Sequence, residues 1–73
     1  MAEDDEKPVA VGYANLNSGK WYACIRFMRD GKRVGEPFVF KDEPQLEVMA
    51  AAALALVRAR RINAGESRDA VLR

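Results

Sequence analysis

The 73-residue chain has no histidine and a single cysteine, Cys24. No intramolecular disulfide can form, and a zinc site of His and Cys cannot be assembled within one chain. A Cys–His nucleophilic pair is excluded as well. Cys24 falls in a strand pattern with no basic residue placed to activate it, so it reads as a small buried hydrophobe. The missing disulfide framework fits a reducing, intracellular setting. Long hydrophobic runs are also absent. The longest, Val48 to Val57, spans ten residues, against the roughly 20 that cross a bilayer, so no membrane partner is expected. The glycines are scattered and build no phosphate-cradling loop. The acids lie in an N-terminal run, a turn, one strand position and a helix start, not as the paired titratable groups of a cleft that general acid–base chemistry needs. Together these absences argue against an enzyme and against a bound cofactor.

What is present is an ordinary globular composition, 49% apolar and 32% charged, in a chain long enough for one small domain. A domain of this size buries only about 60% of its unfolded surface, so modest stability is expected. All six aromatic residues fall between Tyr13 and Phe40 and supply a core. The net charge of +1 hides an asymmetry. Glu3, Asp4, Asp5 and Glu6 hold four of the eleven acids, so from Lys7 onward twelve basic residues stand against seven acidic ones, a balance of +5. An acidic start is the opposite of a signal peptide's basic leader, and the expected location is cytoplasmic.

Residues 1–8 read as a disordered acidic tail ending at Pro8, residues 9–64 as the folded domain and residues 65–73 as a frayed C-terminal segment. Within the domain, residues 9–16 form a first strand, and Asn17-Ser18-Gly19 is a turn cluster. Lys20 to Arg29 is a second strand. Asp30-Gly31 is a two-residue hairpin signal, and Lys32 to Phe40 is a third strand. Such a short loop sets the register. Arg29 then faces Lys32, Met28 faces Arg33, Phe27 faces Val34, Ile25 faces Glu36, Ala23 faces Phe38 and Trp21 faces Phe40. One face collects Trp21, Ala23, Ile25, Phe27, Val34, Phe38 and Phe40, with a bulge at Gly35-Glu36-Pro37 turning Glu36 outward. Pro37 lacks a donor and makes strand three a sheet edge, giving the order 1-2-3. A helix is predicted from Asp42-Glu43-Pro44 to about Asn63, stopped at Gly65. Its side carrying Leu46, Met49, Ala50, Ala53, Leu54, Leu56 and Val57 is the expected core face. The fold class is therefore α+β: a three-stranded antiparallel sheet backed by one C-terminal helix, βββα.

The other sheet face holds Tyr22, Cys24, Arg26, Met28, Arg33 and Val39, flanked by Lys20, Arg29 and Lys32, and no acid. As a structural matter, this can be the wet side of an antiparallel sheet, which suits long basic side chains. Arg58, Arg60 and Arg61 at the helix end complement its dipole; phosphate contact is the sharper alternative for them.

The βββα order, with GKWYACIRF, then DGKR, then FVF before the helix, resembles the AP2-like DNA-binding domains, including the amino-terminal domain of phage tyrosine integrases. The likeness spans about Tyr13 to Val57. It implies that the helix backs the sheet and that the free face enters the DNA major groove, through Lys20, Tyr22, Arg26, Arg29, Lys32 and Arg33. Two departures stand out. Lys41-Asp42-Glu43-Pro44 replaces the usual threonine at the helix start, and these 73 residues include no catalytic recombinase domain. A stand-alone DNA-binding module of phage or mobile-element type is the expectation. The alternative is a protein-binding module, such as a phage-encoded inhibitor of a host defence complex, since the same face is half apolar and half basic. Self-association is expected to stop at a monomer or a weak homodimer. It would use Tyr22, Met28 and Val39, with the acids Glu3 to Glu6 offsetting the partner's Arg26 and Arg33.

Overall fold

The computed structural model describes residues 7–73, so the acidic run at the extreme N-terminus lies outside the described residues. Its elements follow the order β1 (Val9–Asn17), β2 (Lys20–Arg29), β3 (Lys32–Arg33), β4 (Phe38–Val39), α1 (Val48–Asn63) and α2 (Arg68–Leu72). The sheet is antiparallel, with β1 and β3 on either side of β2 and β4 continuing the β3 edge. The layout is α+β, a βββα sheet-and-helix domain.

Two tight turns shape it. At Asp30 and Gly31 φ is 53° and 76°, and at Ser18 and Gly19 it is 54° and 80°. Both central residues of each turn are left-handed, the type I′ geometry whose twist matches antiparallel strands. The second turn pairs β1 with β2 along its whole length, from Asn17 opposite Lys20 to Val9 opposite Met28. The first sets Arg29 against Lys32 and Met28 against Arg33, and the Val34 amide donates to the Phe27 carbonyl at 2.8 Å.

Beyond Val34 the register changes. Phe38 lies opposite Ile25 and Val39 opposite Cys24, not Ala23 and Tyr22 as a continuous third strand requires. Gly35-Glu36-Pro37 thus inserts two residues on the edge strand. An insertion of two preserves the alternation, so Phe38 still faces the core and Glu36 stands in solvent. Phe40 has moved from Trp21 to Ala23, whose carbonyl accepts its amide at 3.0 Å. Trp21 pairs instead with Gln45, amide to carbonyl in both directions at 2.8 and 2.7 Å. Those two bonds hold the chain extended past Pro44, and α1 consequently begins at Val48 rather than near Asp42.

The core is Ala10, Ala23, Ile25, Phe27 and Phe40 from the sheet with Ala55 and Ala59 from α1; Val34, Phe38, Leu54, Ile62 and Leu72 pack around it. The helix meets the sheet through Ala51, Ala55 and Ala59, which are 0, 0 and 2% exposed. This corrects the core face expected from sequence: Leu46, Met49, Leu56 and Val57 are 86, 79, 46 and 55% exposed. The sheet already supplies bulky aromatics, and Gly12 draws the strand against the helix backbone. A Cβ on Gly12 would stand 2.5 Å from the Ala55 carbonyl carbon and oxygen. Only the small-residue side of α1 fits at that distance.

The C-terminal segment, expected to fray around an extra turn at Ala70-Val71-Leu72, carries a short helix there. Gly65 ends α1 with φ of 108°, and α2 docks with Val71 5% exposed. The Arg68 guanidinium lies 3.8 Å above the Phe27 ring and covers that end of the core. No helix among the described residues is long and apolar enough to cross a membrane.

Candidate functional site

The sheet face opposite α1 is open. Alternation along the register puts Lys20, Tyr22, Cys24, Arg26 and Met28 of β2 on it, together with Arg33 of β3 and Val39 of β4. It also adds a row that the sequence reading left out: Val9, Val11, Tyr13, Asn15 and Asn17 of β1, opposite Met28, Arg26, Cys24, Tyr22 and Lys20. The signal was present at Ser18-Gly19, since a two-residue turn there dictates the same pairing that Asp30-Gly31 dictates on the other side. None of these positions is acidic.

Arg29 and Lys32 belong elsewhere. They face each other one residue out of phase with Met28 and Arg33, so both stand on the helix side of the hairpin tip. Lys20, Tyr22, Arg26 and Arg33 remain together on the open face. Arg26 is exposed and lays its guanidinium 4.8 Å over the Tyr13 ring, an arrangement that holds the cation in place while leaving its edge free. Lys41 joins the far end of the face, where a shallow recess is lined by Asn15, Asn17, Tyr22, Val39 and Lys41. The face therefore has two halves. Asn15, Asn17, Lys20, Tyr22 and Lys41 make a polar and cationic end. Val9, Val11 and Met28 make an apolar end, beside Arg26 and Arg33.

Cys24 lies in the centre of the face yet is fully buried, enclosed between its cross-strand neighbours Tyr13 and Val39. Burial pushes its thiol up from the ordinary value, against a smaller opposing pull from a hydrogen bond to Tyr13. The Tyr13 hydroxyl is raised as well, first by burial and then by the neighbouring Cys24. A thiol that is covered and kept protonated is a poor nucleophile. We expect Cys24 in the native protein to react with an aromatic disulfide reagent only as fast as the domain opens, and at once in denaturant. Prompt labelling without denaturant would show that the face is looser than described.

Two of the three helix cations are already engaged, and Arg60 stands exposed beside them. Arg58 is held against the core edge, with its guanidinium 4.4 Å above the Phe40 ring and an ion pair to Glu43 at 2.8 Å. Its hydrogen bond holds the Glu43 carboxyl below the usual range. Arg61 donates from Nε and Nη2 to Glu66, the shortest bond being 2.8 Å. Both sit on α1, which backs the face opposite the open one, so the phosphate-contact alternative for them is not supported by their placement. Their partners are turn acids far along the chain or past the helix end, which composition alone does not pair.

Fold and face together define a class: a small α+β domain whose sheet is covered by a helix on one side and open, basic and acid-free on the other. Compared with protein-family models, with curated proteins and with solved structures, the chain matches none. The reading of this face therefore rests on its own chemistry.

Proposed function

We infer that this domain is a non-enzymatic binding module that lays its open sheet face on duplex DNA, in the manner that the AP2-like resemblance implies. The observation that carries this reading is the charge of the face: Lys20, Arg26, Arg33 and Lys41 around two tyrosines and two asparagines, without one carboxylate. Cations without competing acids are what phosphate contact requires. Asparagine supplies paired donor and acceptor groups for base edges, and a B-DNA major groove about 12 Å wide admits a β-ribbon. The long β1–β2 hairpin is such a ribbon.

The test is fluorescence anisotropy with a mixed-sequence duplex across a salt series. Affinity falls steeply with salt, and removing one phosphate contact lowers the slope of log K against log salt by about one. Arg26→Ala and Arg33→Ala together weaken binding by about a hundredfold if each contact contributes about 1.4 kcal/mol. Arg29→Ala with Lys32→Ala has a smaller effect, because that pair stands on the helix side of the tip. Absence of binding at low salt, or equal losses from both pairs, would overturn the assignment of this face.

A protein partner, such as a host defence complex, is the second reading. It is favoured by the apolar end of the face, where Val9 is 55% and Val11 37% exposed beside Met28. Capture of one host protein that survives nuclease treatment and is lost in Val11→Asp would favour it over DNA.

A further inference from the structure

Helix α1 is apolar on both sides. Its inner side is the alanine row Ala51, Ala55 and Ala59 that lies on the sheet. Its outer side carries Met49, Ala50, Ala53, Leu56 and Val57 in solvent, and Leu46 precedes the first turn at 86% exposure. A helix at the surface normally turns a polar side to solvent along its length, and a contiguous apolar patch on so small a surface marks a contact. This strip is more exposed than the Tyr22, Met28 and Val39 positions of the open face, which are half-buried.

We propose that the outer side of α1 pairs with the same side of a second copy, the two helices running antiparallel about a two-fold axis at Ala53. The arrangement of sizes is self-complementary about that residue. Met49 and Val57 lie four residues to either side, Ala50 and Leu56 three to either side. In an antiparallel pair, Met49 meets the partner's Val57, and Ala50 receives the partner's Leu56, large against small. Ala53 meets its own copy, and a small residue on the axis lets the backbones approach. Charge agrees with this direction. Glu47 stands at the head of α1 and the exposed Arg60 in its last turn, so antiparallel pairing brings opposite charges and opposite dipole ends together. A parallel pair would set Arg60 beside the partner's Arg60. The strip offers about six side chains per copy, well short of the roughly 20–30 residues a side of a standard interface, so the dimer is a weak one. It leaves both sheet faces open and pointing apart, and it stands or falls independently of what those faces bind.

Sedimentation equilibrium of the whole chain over a wide concentration range tests this. The wild type dimerises reversibly at high concentration. Met49→Lys alone and Val57→Glu alone each weaken the dimer at least tenfold, and circular dichroism stays unchanged because both side chains are exposed. The double variant Met49→Lys/Val57→Glu regains dimerisation, since each new cation faces a new anion across the axis, twice per dimer. A wild type that stays monomeric at the highest concentration overturns the proposal. So does a dimer indifferent to the single substitutions, or a double variant no better than either single one. Binding of the monomer to anionic phospholipid vesicles through Met49, without self-association, would assign the strip to a lipid surface instead.

Discussion

Gly12→Ala is expected to lower the thermal midpoint by more than about 10 °C, or to prevent folding altogether. The added methyl would stand 2.5 Å from both the carbonyl carbon and oxygen of Ala55 and 2.9 Å from the Leu56 nitrogen. All three are backbone atoms of α1, so no rotamer change can clear them and the helix must move away from the sheet. Displacing the helix loosens the contacts of Ala51, Ala55 and Ala59 at once. Overpacking of a close contact typically costs about 1–3 kcal/mol, and more where backbone has to shift. For a domain of this size each kcal/mol is about 4–8 °C in the midpoint, against a total stability of only about 0.05–0.15 kcal/mol per residue. The sign makes the experiment decisive. Glycine within a strand is unfavourable on propensity alone, so alanine should stabilise β1 if nothing opposed it. Because the obstacle is backbone, Ala55→Gly should not rescue the variant. A midpoint equal to or above that of the wild type would show that the helix does not approach β1 as described.

Asn63 is the second position with a large expected effect. Its Oδ1 accepts the Ala10 amide at 2.8 Å and its Nδ2 donates to the Ala10 carbonyl at 2.9 Å. β1 is a sheet edge, and at Ala10 its outward backbone groups have no neighbouring strand among the described residues. The asparagine amide at the end of α1 takes the place of one, which satisfies both groups and blocks pairing at that point of the edge. Asn63→Leu leaves an amide and a carbonyl unpaired beside a buried residue. The expected loss is about 1–3 kcal/mol, a midpoint lower by roughly 5–20 °C. Asn63→Asp separates the two bonds. Its carboxylate can accept the Ala10 amide but meets the Ala10 carbonyl with no donor, whereas the protonated acid supplies that donor. Folding then favours the protonated form, so the folded-state value of this carboxyl lies above its unfolded one. The deficit relative to wild type should shrink as pH falls through that value and grow as pH rises. Equal deficits at acidic and neutral pH would mean that the donor half of the clamp contributes nothing.

How much of this was visible beforehand follows from the range over which each feature acts. The Asp30-Gly31 turn needed only two residues with accessible left-handed backbone, and Arg29 opposite Lys32 and Met28 opposite Arg33 follow from it. The core face of β2, the edge position implied by Pro37 and the helix stop at Gly65 are equally local. So are Lys20, Tyr22, Arg26 and Arg33 of the candidate site, because strand alternation alone puts them on one side. Tyr13, Asn15 and Asn17 were legible from the Ser18-Gly19 turn by the same rule.

The remaining features depend on contacts between distant parts of the chain. Both sides of α1 are apolar, so helical periodicity favours the one with larger side chains. The sheet takes the alanine side instead, because Gly12, more than forty residues earlier, leaves space for backbone against backbone and none for leucine. Pairing of Gln45 with Trp21 moves the helix start, since two backbone hydrogen bonds to an edge outweigh an early acidic cap. The two-residue insertion in the third strand sets Phe38 and Phe40 where the core has room for them. The Asn63 clamp on Ala10 and the Arg58–Glu43 pair over Phe40 arise only once the helix lies on the sheet. Local chemistry settled the turns, the alternation and the acid-free face. Close packing between elements far apart in the chain decided which helix side went inward, and with it which apolar side was left facing water.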